Sequence, residues 1–161
     1  MQTFYGTKLL AARPMTRQEY LDYRGWDLPN NENADDTGYL VEYLDGGAAN
    51  DPRHGGYISW SPQDVFDAAY TPTNAMSFSH ALVALKAGAR LTRKGWNGAG
   101  MFVFLVDGST FTVNREPLLS LLGAGVQVEY RPHIDIKQVN GSIGVWHPSM
   151  GDVMAEDWYT L

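Results

Sequence analysis

Arg90, Arg93 and Lys94 stand around Leu91 and Thr92 and run directly into Gly95-Trp96-Asn97-Gly98. A cation cluster beside a flat indole and a carboxamide suits a nucleotide-like ligand, because guanidinium and ammonium groups bond phosphate while the ring stacks on a base. Flanking glycines free the Trp96 ring and let a ligand approach the backbone. The same indole can instead fold back onto the core, and Arg93 and Lys94 can instead form a solvated strand edge. Further along, Asp152, Glu156 and Asp157 lie close to Trp146 and Trp158. A carboxylate accepts two hydrogen bonds from the vicinal hydroxyls of a ribose, so acid beside aromatic suits a nucleoside; helix capping accounts for Asp152 equally well. Trp146 ends a strand before a turn, where a ring lines a cleft or closes a core.

Hydrolytic and metal chemistry find less support. The sequence has no Walker loop, GxGxxG, HExxH or GxSxG, and no catalytic residue is assigned. Its four histidines, at 54, 80, 133 and 147, form no i, i+4 pair, so no metal site is expected. The chain has no cysteine, which excludes disulfides, thiolate metal sites and a cysteine nucleophile. No cofactor is implied. The net charge is −6, with five Lys/Arg against eleven Asp/Glu in residues 1–75 and seven against seven in the remainder. An acidic pI near 5.0 argues against binding duplex nucleic acid, which requires many phosphates to be neutralised. No apolar run reaches the roughly 18 to 20 residues of a membrane-spanning helix and no signal peptide is evident, so the expected location is cytosolic.

The elements that must position these groups are legible from periodicity. Phe78, Ala81, Leu82 and Leu85 recur at helical spacing between Ser77, an N-cap, and Gly88, a stop. Met101–Val106 is apolar on both faces and reads as a central strand that Asp107-Gly108 turns back into Thr110–Val113. A short helix over 116–122 and a strand over 126–130 follow. Residues 134–139 and 142–146 flank Asn140-Gly141, a hairpin signal. Ser149 with Asp152 marks a capped helix ending near Trp158, and that cap keeps the Asp152 pKa low, the wrong direction for a general base.

The first half reads as a separate small α+β module. A strand is expected over Thr3–Ala12, then a helix from the Thr16/Glu19 capping box to Tyr23, stopped by Gly25. An acidic loop, 26–37, precedes strands at 38–44 and 57–60. Ser61, Pro62 and Asp64 open a helix that turns Val65, Phe66 and Ala69 inward. The expected fold is therefore α+β: an acidic N-terminal module, residues 1–75, before a strand-rich antiparallel module with a capped helix, residues 76–161.

The run MSFSHALVALKAGARLTRKGWNGAGMFVFLV, followed by EYRPHIDIKQVNGSIGVWHPSMGDVMAEDW, resembles the Thoeris anti-defence 2 family of phage proteins. The likeness spans Met76 to Trp158, and the helix, the KGWNG turn, the hairpin and the closing W-x-P-S-x-x-D-x-x-A-E-D-W occur in order. The first module looks like an extension found in longer phage-borne relatives. The resemblance implies a sponge, not an enzyme. Such proteins bind a glycocyclic ADP-ribose immune signal, and some hold cyclic dinucleotides, as homotetramers with ligands at subunit interfaces in the cytoplasm of the infected host. Carried onto this chain, it implies ligand contacts at Trp96, Trp146 and Asp152, with Asn97, Arg93 and Asp157 beside them. On that reading Trp96→Ala weakens nucleotide binding and leaves the fold intact. Two other readings stay open: an enzyme cleaving such a signal with Asp152, Asp157 or His133, and an interaction module docking a host protein through Trp26 and Trp60.

Overall fold

The computed structural model describes residues 1–4 and 6–161, whose contacts group into two units, Met1–Tyr70 and Thr71–Leu161. Both are mixed α+β with antiparallel sheets. Among the described residues, no helix is long and apolar enough to cross a membrane.

In the first unit a three-stranded sheet runs in the order β1 (Leu10–Pro14), β2 (Gly38–Tyr43), β3 (Ile58–Pro62). The expected strand over Thr3–Ala12 begins only at Leu10, and Tyr5 within that range lies outside the described residues. The central strand supplies buried Leu40 and Val41, and Leu40 joins Tyr20 and Ile58 in a small core. Tyr20 comes from α1 (Arg17–Arg24), which starts as the sequence implies: the Thr16 hydroxyl accepts the Glu19 N–H and the Glu19 carboxylate accepts the Thr16 N–H. Gly25 closes the helix at φ 68°, a left-handed conformation that costs glycine little.

The second helix departs from expectation. Ser61 pairs with Tyr39 in the sheet, so β3 continues through Pro62, and α2 (Gln63–Ala69) starts without a side-chain cap. Val65 and Ala69, expected inward, are exposed. Seven residues make two turns, and only Phe66 engages, half-buried and stacked on Tyr39 at 4.1 Å.

The second unit is built on a five-stranded sheet. In chain order it contains α3 (Phe78–Lys86), β4 (Leu91–Arg93), β5 (Phe102–Val106), β6 (Ser109–Thr112), α4 (Leu118–Leu122), β7 (Gln127–Tyr130), β8 (His133–Lys137), β9 (Ile143–Val145), α5 (Met150–Val153) and β10 (Trp158–Thr160). The sheet order is β10-β4-β5-β8-β9, so β5 is central, as its apolar run implies. Ala81 and Leu85 of α3 are fully buried with Leu91 and Val103, and Trp158, also at 0% exposure, fills the middle of this core. Ser77 occupies the cap position of α3, but its hydroxyl bonds Ser79 and His80 rather than the helix backbone.

Two expectations about connectivity are corrected. The strand after Asp107-Gly108 does not fold back on β5; β6 pairs with β7 in a separate ribbon, with Ser109 opposite Tyr130. The tail helix does not reach Trp158. It ends after one turn at Met154, and the chain then extends so that β10 pairs with β4, Trp158 opposite Arg93. Burial of the large Trp158 ring and two backbone bonds with Met76 outweigh the continuation of a four-residue helix, which is marginal alone.

Candidate functional site around the 93–98 turn

The turn after β4 is held by two carboxylates from the tail. Arg93, half-buried at the end of the strand, donates from Nη1 to Asp152 Oδ1 at 2.7 Å and from Nε to Asp157 Oδ1 at 2.8 Å, and its Nη1 also reaches the Gly151 carbonyl at 3.1 Å. Asp157 Oδ2 accepts the Gly95 N–H at 2.7 Å. A Cβ at position 95 would stand 3.0 Å from that oxygen, so glycine lets the carboxylate close on the backbone. The first glycine of the turn thus serves the ion-pair network, a role its sequence context does not announce.

Asp152 is the hub. Its Oδ1 accepts from Arg93 and from Trp96 Nε1 at 2.9 Å, and its Oδ2 accepts the Ser149 N–H at 2.9 Å and the Ser149 hydroxyl at 2.7 Å. The capping box read in the sequence is therefore present, with the Asp152 N–H returning to Ser149 Oγ. An ionised carboxylate offers about four lone-pair positions, and all four are filled from within the chain. A ribose hydroxyl would reach this carboxylate only by displacing one of them. Burial pushes the Asp152 pKa up, but the bonds from Trp96, Ser149 and Arg93 outweigh it and lower it to about 2. Burial likewise opposes Asp157, whose pKa is nonetheless held below the usual range by Arg93 and the Gly95 N–H. Neither carboxylate is a base near neutral pH.

These shifts fix the sign of an acid response. A carboxyl whose folded pKa lies below its unfolded value of about 3.9 contributes stability above that value and loses it as pH falls toward the folded pKa. The 71–161 unit is expected to melt at a constant temperature from pH 7 to about 5, then at falling temperature between about pH 4 and 2. Thermal melts across that range check it, and a flat profile down to pH 2 would contradict it.

The tryptophans are packed together. Trp96 is half-buried, its ring edge-on to Trp158 at 5.3 Å and to Trp146 at 6.3 Å. Trp146 is 9% exposed, packed within the core against Phe78 and Trp158. Trp158 donates its Nε1–H to the Asp152 carbonyl at 3.1 Å. Of the residues singled out in the sequence, Arg93, Trp96, Asp152 and Asp157 thus converge in one network. Trp146 sits behind it and Asn97 faces solvent.

What stays open is a depression of about 250 Å³ beside the turn, with Lys94, Trp96, Asn97, Met101 and Tyr159 in its wall. Lys94 is exposed and, among the described residues, has no ion-pair partner. Sequence reasoning missed Tyr159 and Met101 as wall residues. Tyr159 is brought there by the pairing of β10 with β4, opposite Thr92, a tertiary contact that no local pattern encodes. A larger depression, about 640 Å³, lies in the first unit, with Asp36, Trp60, Asp64 and Asp67 in its wall. Trp60 is half-buried there and donates to the Met15 carbonyl at 2.9 Å, whereas Trp26 is 53% exposed. Among the described residues no three His, Asp or Glu side chains converge as a metal ion would require.

Comparison with known proteins falls on the second unit. The family model described as Thoeris anti-defense 2-like domain matches residues 76–161. A curated relative named Thoeris anti-defense 2, from Bacillus phage SP01, is 39% identical over 88 residues, which cover 52% of this chain and 91% of the relative. Every member of the Arg93–Asp152–Asp157 network, the tryptophan cluster and the adjoining depression falls inside the matched range.

Proposed function

The chain belongs to the Thoeris anti-defense 2-like family, and from that premise we propose that it serves phage counter-defence by sequestering a cyclic nucleotide immune signal without cleaving it. The signal is glycocyclic ADP-ribose, a cyclic dinucleotide, or both, held reversibly in the cytoplasm of the infected host. The assembly is a homotetramer with ligands at subunit interfaces. The observation that carries this reading is the turn itself: a tryptophan fixed by a hydrogen bond at its ring nitrogen, with an exposed carboxamide and a free ammonium group around an open depression. That arrangement offers an aromatic face, an amide and a cation to one ligand, and no poised acid or base.

Arg93, Asp152 and Asp157 act here chiefly as the frame that fixes the turn, while Trp96, Asn97 and Lys94 make the contacts. Preorganisation of this kind improves affinity because little is left to order on binding. Each tenfold gain takes about 1.4 kcal/mol. A stacked base supplies about 1 to 3 kcal/mol and a charge-assisted bond to phosphate about 1.5 to 3, so one stack and two such bonds sum to about 4 to 9 kcal/mol, and micromolar binding needs the upper end of that range.

Calorimetric titration of the full chain with glycocyclic ADP-ribose, and separately with a cyclic dinucleotide, tests the reading. Saturable binding of at least one of them, with a dissociation constant at or below micromolar, is expected. No binding of either would remove the sponge reading and leave a role in docking a host protein.

A further inference from the structure

Two Asn-Gly pairs occur in the chain, Asn97-Gly98 in the site turn and Asn140-Gly141 in the β8–β9 hairpin. Such a pair carries its own electrophile and nucleophile. The following backbone nitrogen can close a five-membered ring onto the asparagine Cγ, an intramolecular attack that proximity favours, and glycine adds no Cβ to hinder it. In a folded chain, the other bonds of these two groups decide whether the ring closes.

Exposure does not separate the pairs, since both asparagines are exposed. Hydrogen bonding does. At the hairpin, Asn140 Oδ1 accepts the Ser142 N–H at 3.0 Å and the Ser142 hydroxyl at 2.7 Å, and the Gly141 N–H donates to the Gln138 carbonyl at 3.0 Å. Side chain and nucleophile are both committed. At the site turn, among the described residues, the Asn97 carboxamide makes no hydrogen bond and the Gly98 N–H donates to no acceptor. Glycine is also required there, because a Cβ at position 98 would collide with Met101 and Val139, so no bulkier residue can stand in the way of the attack.

We propose that Asn97 is a site of spontaneous covalent modification, converting to aspartate and isoaspartate by attack of its own backbone. Hydroxide takes the Gly98 amide proton, and the nitrogen forms a bond to Asn97 Cγ. The Cγ–Nδ2 bond breaks, and the side-chain nitrogen takes a proton from water and leaves as ammonia. Water then opens the cyclic imide, at Cγ to give aspartate or at the main-chain carbonyl carbon to give isoaspartate. The net change is hydrolysis of one amide, with no redox step. The new carboxylate stands in the wall of the same depression as Lys94. The consequence for binding rests on the sponge reading: a phosphate near Lys94 then meets a negative charge, and Asn97→Asp should bind glycocyclic ADP-ribose at least tenfold more weakly. The conversion itself does not rest on that reading, because it is measured without ligand.

The full chain is held for days in warm, mildly alkaline buffer, digested with trypsin and sequenced by tandem mass spectrometry. Cleavage after Lys94 and Lys137 puts the two pairs on separate peptides. Position 97 is expected to gain the mass difference between an amide and an acid about tenfold or more faster than position 140, where three hydrogen bonds hold the reacting groups. In urea-unfolded chain the two positions should convert at comparable rates. Asn97→Gln, whose attack would need a six-membered ring, should show no gain at position 97. Absence of conversion at position 97 in the folded chain, a rate there no greater than at position 140, or the same disparity in urea would overturn the proposal.

Discussion

Asp152→Ala is expected to destabilise the 71–161 unit by about 3 kcal/mol, the largest effect of any substitution around the turn. The substitution removes acceptors for Arg93, Trp96 and both Ser149 donors at once. It also leaves the Arg93 guanidinium, whose side chain is 16% exposed, with Asp157 as its remaining carboxylate. Removing one partner of a buried pair costs about 3 to 5 kcal/mol; the residual exposure of both side chains places this one at the lower end. Asp152→Asn keeps the shape and part of the acceptor capacity, so its cost should be about half. Urea unfolding followed by tryptophan fluorescence measures both. A loss below about 1 kcal/mol for the alanine variant would mean that the network does not hold the turn.

Trp96→Ala should cost about 2 to 3 kcal/mol of stability and at least tenfold in ligand affinity. The sequence alone, with glycines on both sides of this residue, implies a ring that can be removed without touching the fold. The packing says otherwise, because the indole contacts two other tryptophans edge-on and its N–H is bonded to Asp152. Aromatic pairs in this geometry contribute about 0.5 to 1.5 kcal/mol beyond their buried area. A purely structural tryptophan would lose affinity only in proportion to the unfolded fraction. Calorimetry well below the melting temperature therefore separates the roles, and unchanged affinity there would confine Trp96 to packing.

The parts of the fold that local chemistry controls were legible in the sequence. The Thr16/Glu19 and Ser149/Asp152 boxes form as their spacing implies, and the apolar run around Val103 becomes the central strand. Elements decided by distant partners were not. Ser61 reads as a cap, yet β2 claims it as a strand residue. Trp158 reads as the end of a helix, yet core burial and pairing with β4 draw it into a strand. The site shows the same division. Residue types single out Arg93, Trp96, Asp152 and Asp157, whereas their arrangement was not readable, since residues 93–96 and 152–157 are brought together by the β4–β10 pairing. The sequence paired each with a ligand; the structure pairs them first with one another.

The account turns on binding without chemistry, and the fate of the ligand tests this most directly. Glycocyclic ADP-ribose is incubated for hours with a molar excess of the full chain, the protein is then denatured by heat, and the released small molecules are weighed by mass spectrometry. Reversible sequestration predicts recovery of the added ligand at its original mass and in full amount, with no difference between wild type and Asp152→Asn. A linear product accumulating with wild type and absent with Asp152→Asn would contradict the account and make this chain an enzyme.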